Sequence, residues 1–424
     1  MAASLAPAGQ VQDYYTQGLR ARFFIDGLKL ERNATEANYA DFAYVFDEEA
    51  YRRRTAASLK RDDLPKAVPE GLPAKLEGPL VWTKEDLADE SQFVYNLDDD
   101  DKAEIARALE HFKKQAEQQG LEGHQVTRDM FPLPTLQEKL RSVCDDVYDG
   151  RGFAIVRGLD PDALGVDDFN TIYLGISSYI GGRLGRQDQG GSMLMHVILS
   201  GDERDAQFTA DQPFHTDTVT DCLCLVTMNV AAEGGWGVLA SAWTVYNELA
   251  ATRPDLIHVL TRPDWPFDTF GRTPAFYRRA VMYHRDGRLV TSFSRRLLCG
   301  RPPSEPRTAG IPGLTEAQAE ALDALHLAAR RCEVRPSMAR GDLRFINNMA
   351  VLHRREAYAD AGRDAGRHLV RLWINNPDRC WALPAELDLA WARIFDDDDE
   401  RERRWDVVPP KADGRMLRQA GSCD

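Results

Sequence analysis

Long apolar runs are missing from this chain. No stretch of its 424 residues approaches the roughly 20 consecutive apolar residues that span a bilayer. Met1 to Leu19 hold no continuous apolar segment, so no secretory signal is expected there. Cysteine is sparse, with seven residues, an odd number, in no framework spacing. That argues against a disulfide-stapled fold and for a reducing, cytoplasmic compartment. Cys222 and Cys224 lie in an apolar run without partner cysteines at ligand spacing. They read as buried thiols on a strand rather than as metal ligands. Positive charge is in deficit: 53 Lys and Arg against 67 Asp and Glu leave a net charge of -14. Such a surface repels phosphate backbones and anionic membranes, so neither nucleic acid nor a membrane is an expected partner. No internal repeat is visible.

What is present suits a large core, since 43% of the residues are hydrophobic. Residues 1–75 are polar, charged and weakly periodic, and read as an irregular arm with short helices. Gly71 to Pro79 has the glycines and prolines of a linker. Residues 76–424 then form one enlarged domain. Asp98 to Asp101 precede the apolar stripe Ile105, Ala106, Leu109 and Phe112, which predicts acids at a helix N-terminus. A calcium loop is excluded there by the missing turn glycine and alternating oxygens. Further helices are predicted over 136–147, 168–180 and 315–331. Strands are predicted over 152–158, 222–230, 343–352 and 369–374, with a hairpin turning at Asp286-Gly287. The expected fold class is α+β: a double-sheet jelly roll with helices packed outside. Asp396 to Glu400 reads as a solvated acidic run.

The chemistry-bearing segment is Pro213-Phe-His215-Thr-Asp217. On an extended strand, residues two apart share a side, so His215 and Asp217 present an imidazole and a carboxylate to one ion. His353, in Asn347-Asn348-Met-Ala-Val-Leu-His353, is the best third ligand. Two histidines and one carboxylate on one face mark non-haem iron(II) sites with open coordination positions. Arg367 follows His353 by fourteen residues and shares a strand face with Leu369 and Arg371. Two inward guanidiniums require anions, and arginine grips carboxylates with two parallel donors. A dicarboxylate chelating the metal at one end needs such a partner at its other end.

These residues resemble the taurine dioxygenase and TfdA type of iron(II), 2-oxoglutarate-dependent oxygenases, within the clavaminate-synthase-like superfamily. His215-Thr216-Asp217 matches the H-T-D motif, and Gly234-Gly235 matches the G-G turn about twenty residues later. Val245-Tyr-Asn-Glu-Leu249 resembles the following segment. Gly341-Asp342, Asn348, His353, Arg367 and Arg371 complete the order. The resemblance covers roughly 150–375. It implies a double-stranded β-helix, with iron(II) held by His215, Asp217 and His353. It implies 2-oxoglutarate and molecular oxygen as cosubstrates, and succinate and carbon dioxide as products. Arg367 would pair with the distal carboxylate of 2-oxoglutarate, and Arg371 would support it, brace Asp217 or meet an anionic substrate. The family's threonine or serine after the G-G turn is replaced by Trp236-Gly237; Ser241 or Thr244 would have to substitute. Because Asp217 is retained, halogenation is not expected.

The implied reaction oxidises a small, anionic organic substrate, by hydroxylation or else by desaturation or ring closure. A non-catalytic, cupin-like metal-binding barrel is the alternative, and a zinc hydrolase is a lesser one. His196, Gln187 and Asp188 are candidates for the substrate pocket or for core and loop. Trp236, Trp243 and Trp373 read as packing, and His368 should face away from Arg367. Assembly into a homo-oligomer is compatible with the sequence.

Overall fold

Side-chain caps set where the helices begin. In the computed structural model, Asp47 starts α1 (Glu48–Ser58) by accepting from the Ala50 amide. The aspartate run opens α2 (Asp99–Gln119) as predicted, through a capping box in which Asp98 and Asp101 accept from each other's amides. α3 (Leu136–Tyr148) and α4 (Val166–Ser177) follow. α5 (Ala242–Thr252), α6 (Pro254–Leu260), α7 (Arg295–Cys299) and α8 (Glu316–Cys332) come after the site segment, α8 again with a capping box, from Thr315 and Gln318. The structure describes residues 39–188, 190–198, 209–217, 219–270, 274–302, 305–360, 366–396, 402–412 and 415–416. The predicted arm before residue 39, and all but Asp396 of the acidic run, lie outside them.

The main sheet joins β1 (Val94–Asn96), β2 (Phe153–Arg157), β3 (Arg183–Leu184), β4 (Met195–Val197) and β5 (Cys222–Asn229) to later strands. These are β7 (Leu343–Asn347) and β9 (His368–Asn375); β6 (Gly237–Ser241) and β8 (Val351–Arg355) pair with each other in a separate ladder. The order is β1-β2-β7-β5-β9-β3, with β4 also on β9. Only the β1–β2 pair among these is parallel.

Strand alternation gives this sheet two different faces. Cys222, Cys224 and Val226 of β5, with Val370, Leu372 and Ile374 of β9, pack into one apolar cluster with α3 and α4. The two cysteines are buried thiols, as expected. Leu223, Ile346 and Trp373 point the other way, into a cluster shared with Leu239 and Val351 of the facing pair. Burying each such side chain stabilises by roughly 1.5–3 kcal/mol, so both faces of the sheet are held firmly.

The predicted single run over 343–352 is two strands in two layers. The Met349 amide donates to Asn347 Oδ1 at 3.0 Å and the Asn348 amide to the Asp221 carbonyl at 2.9 Å. These bonds close a turn that carries the chain from β7 across to β8. The hairpin at Asp286-Gly287 is as predicted, with positive φ at both residues (49° and 73°). The described part of the N-terminal arm is docked: Arg54 of α1 pairs with Glu316 and Asp323 of α8. The 71–79 stretch is tied to α5, where Asn247 Oδ1 accepts from the Leu76 amide at 2.7 Å.

Candidate metal centre

His215 sits opposite His353 across an isolated antiparallel bridge, in which each backbone amide donates to the other residue's carbonyl, at 3.1 and 2.9 Å. The strand period then places Asp217 beside them, while Phe214 and Thr216 are buried on the other side. One donor atom from each of His215, Asp217 and His353 lies within 4.8 Å of the others. His353 Nε2 is 3.7 Å from Asp217 Oδ1.

The surroundings prepare each group to bind a cation. His215 Nδ1 lies 2.9 Å from the Pro213 carbonyl, to which it can only donate, so Nε2 is left as a lone-pair donor. Burial, then the neighbouring His353, pushes the His215 pKa down to about 3 and keeps the ring neutral. Burial alone would raise Asp217, but Arg371 and the two imidazoles outweigh it and hold the carboxyl well below the usual range. Its Oδ2 accepts from Trp373 Nε1 at 2.7 Å and pairs with Arg371 Nη1 at 2.9 Å, while Oδ1 faces His353. Asn348 fixes the backbone: its Oδ1 accepts from the Asp217 amide at 2.8 Å, and its Nδ2 donates to the Asp217 and Thr220 carbonyls. The same side chain thus ties the His215 segment to the turn before β8. Two imidazoles and a carboxylate, with no thiolate among them, form the donor set that suits iron(II).

The triad opens on a cavity of about 120 Å³ lined also by Leu223, Leu225 and Thr227 of β5 and by Arg344, Arg367 and Arg371. Arg367 is 5% exposed, and its Nε donates to the Gly235 carbonyl at 2.8 Å. Burial, then the charge of Arg355, lowers its pKa to about 9, and it forms no ion pair among the described residues. A buried guanidinium without a carboxylate, in the cavity of a metal triad, fits a bound dicarboxylate.

All five residues expected at the centre line this one cavity. Among the roles open to Arg371, its contacts are those of the brace. It pairs with Asp217, its Nε donates to Gln187 Oε1 at 2.8 Å, and its Nη2 reaches Met195 Sδ at 3.1 Å. It is therefore a brace for the Asp217 carboxylate. Gln187 supports that brace from behind the cavity and also donates to the Arg371 carbonyl at 2.9 Å. His196 is not at the pocket. It pairs opposite Val370, on the helix-facing side of the sheet, with its Nδ1 2.8 Å from His368 Nε2. His368 faces away from the cavity, as expected. Asp188 accepts from the Ser192 amide and hydroxyl. Ser241 and Thr244 do not substitute for the missing hydroxyl. Ser241 caps α5 and bonds the Leu80 carbonyl, and Thr244 bonds the Trp82 backbone. Trp236 lies under Arg335, at 4.7 Å, and Trp243 donates to the Leu289 carbonyl.

Trp373 packs in the core, as expected, and in addition contacts a triad member. The signal was the period-two row Arg367, Leu369, Arg371, Trp373, which sets all four on one face. Replacing Trp373 by Phe keeps the packing and removes the N–H to Asp217. Metal affinity is expected to fall roughly 10- to 100-fold, the usual effect of losing such a supporting bond. Calorimetric titration of Mn(II) checks this, and an unchanged affinity would show that Arg371 alone orients the carboxylate.

Comparison with known proteins follows the same lines. The family described as "Taurine catabolism dioxygenase TauD, TfdA family" matches residues 117–373. The taurine hydroxylase-like protein SAT17 of Stachybotrys chartarum is 31% identical over 361 residues, 82% of this chain and 92% of that protein. FR-33289 synthase of Streptomyces rubellomurinus is 28% identical over 323 residues, 72% of this chain and 92% of that one. A crystal structure of asparagine oxygenase with Fe(II), 2S,3S-3-hydroxyasparagine and succinate is similar in fold. Its TM-score is 0.50 at 17% identity, covering 66% of this chain and 93% of that one. With a family match over most of the chain, around two half-buried histidines and one buried carboxylate, this protein belongs to the TauD, TfdA family and is a non-haem iron(II), 2-oxoglutarate-dependent dioxygenase.

Proposed function

We propose that this enzyme hydroxylates a small, anionic, amino-acid-like substrate. In this reading His215, Asp217 and His353 hold the iron, and the main sheet and the facing β6–β8 pair are the two halves of a double-stranded β-helix. The observation that carries the oxygenase reading is Arg367, which would take the cosubstrate: a buried cation without an ion-pair partner among the described residues, in the cavity the triad lines. When bound, iron(II) supplies the oxidation of a substrate C–H bond to C–OH, coupled to conversion of 2-oxoglutarate and molecular oxygen to succinate and carbon dioxide.

The chain's residues do the rest. His215 Nε2 and Asp217 Oδ1 are kept available for the metal by the partners of Nδ1 and Oδ2. Arg367 orients the cosubstrate by its far carboxylate. Leu223, Leu225, Leu239 and Leu369 exclude water from the reacting side of the cavity. Two comparisons support the class: SAT17 is described as taurine hydroxylase-like, and the solved fold relative holds a hydroxylated asparagine. Membership of a dioxygenase family disfavours the non-catalytic cupin-like alternative.

Incubation with iron(II), ascorbate and 2-oxoglutarate, across a panel of amino acids, sulfonates and carboxylates, tests the proposal. Succinate release above the substrate-free level is expected for acid-bearing compounds. Release stimulated only by neutral or cationic compounds would sink it.

A further inference from the structure

We propose that Arg344 is a second ligand for the far carboxylate of 2-oxoglutarate, occupying the place left by the hydroxyl missing after the G-G turn. This rests on the cosubstrate reading of Arg367 and extends it. Arg344 lies on β7 opposite Leu225, which in turn lies opposite Arg371, so the three side chains form one row across the cavity face of the main sheet. It is 3% exposed. Its Nη1 donates to the Gly237 carbonyl and its Nη2 to the Ser337 carbonyl, both at 3.1 Å, and its Nε has no partner among the described residues.

Arg344 and Arg367 grip the same turn. Arg367 bonds the carbonyl of Gly235 and Arg344 that of Gly237. A Cβ added at Gly235 would lie 2.9 Å from Arg367 Cδ, and one at Gly237 would lie 2.7 Å from Arg344 Nη1. A threonine or serine at 237 and the present Arg344 conformation are therefore mutually exclusive. Where a hydroxyl could stand, this chain has a glycine and a guanidinium.

Neither arginine has a carboxylate in ion-pair contact among the described residues. The acids near Arg344, Asp342 and Glu90, pair with Arg157; Asp360 beside Arg367 accepts from its backbone amide; Asp217 is matched by Arg371, and the neighbouring Arg354 by Glu333 and Asp211. Burial lowers the Arg344 pKa to about 10, and the charge of Arg344 adds to the depression at Arg367. Two buried cations at one turn call for a shared anion with two oxygens. A carboxylate supplies one oxygen to each guanidinium. The near carboxylate of 2-oxoglutarate would be neutralised by a metal held by His215, Asp217 and His353, so the far one is the group these two arginines would share.

The test is calorimetric, on protein loaded with Mn(II), which takes the same ligands and allows binding to be read without turnover. Arg344→Met is expected to weaken 2-oxoglutarate binding roughly 10- to 100-fold, the effect of losing one charge-assisted bond. Binding of 2-oxobutyrate, which lacks the far carboxylate, should not change. Arg344→Lys, which keeps the charge, should fall between wild type and Arg344→Met, and it serves if the methionine variant does not fold. Wild-type 2-oxoglutarate affinity in Arg344→Met, with weakened affinity in Arg367→Met, would overturn this inference and leave the Arg367 reading standing. Wild-type affinity in both would overturn both. Equal loss for the two keto acids would assign Arg344 a purely structural role and also overturn the inference.

Discussion

His353→Ala is expected to abolish iron binding and turnover while leaving the fold intact. Removing a direct donor should exceed the roughly 10- to 100-fold effect of losing a supporting partner. The fold should tolerate the change because His353 Nδ1 has no hydrogen-bond partner among the described residues, and the strand pairing at this position is made by backbone. Asp217→Ala should be equally inactive and much less stable. It leaves Arg371 and Trp373 without their acceptor in a buried place, and breaking a buried pair from one side costs about 3–5 kcal/mol. The contrast separates ligand loss from structural loss. Metal content, succinate formation and melting temperature of the two variants check it. Iron-dependent succinate formation at the wild-type rate in His353→Ala would remove that residue from the centre.

Arg367→Met carries the other large effect. Loss of a charge-assisted partner from a buried carboxylate should weaken 2-oxoglutarate binding by on the order of 2–5 kcal/mol. The ligand-free protein should respond in the opposite sense. The folded pKa of Arg367 lies near 9, well below that of a free guanidinium, so the unfolded chain holds that proton more tightly than the folded one. This group therefore opposes folding in full below pH about 9, and its penalty fades as pH rises from there toward the value of a free guanidinium. Removing the charge at neutral pH should leave the ligand-free melting temperature unchanged or higher. Added 2-oxoglutarate should raise the wild-type melting temperature and not that of the variant. Equal 2-oxoglutarate shifts in the two proteins would show that another group holds the carboxylate.

Much of the centre was legible before any fold was known because its chemistry follows local periods. The spacing of His215 and Asp217, the shared face of Arg367 and Arg371, and the acidic start of α2 each depend on a few neighbouring residues. Their geometry is set by the two-residue strand period or by the first helical turn. The family order of motifs then supplied His353, which no local rule links to His215.

Other features depended on pairings between distant segments. The 343–352 run reads as one apolar strand, yet Asn347 and Asn348 bend it between layers by bonding to each other's surroundings and to Asp217 and Asp221. His196 looked eligible for the pocket, but its register against Val370 puts it on the helical side. Arg371 has the same face in either reading, and only the position of Asp217 and Gln187 makes it a brace. Arg344 sits in a strand with no motif of its own and reaches the cavity because β7 pairs with β5 and Gly237 leaves it room. By itself, then, the sequence determined which residues carry the metal chemistry and which local element each one occupies. The tertiary structure decided which of them meet, because a one-residue change of strand register reverses every face, and that register is set by partners more than about a hundred residues apart.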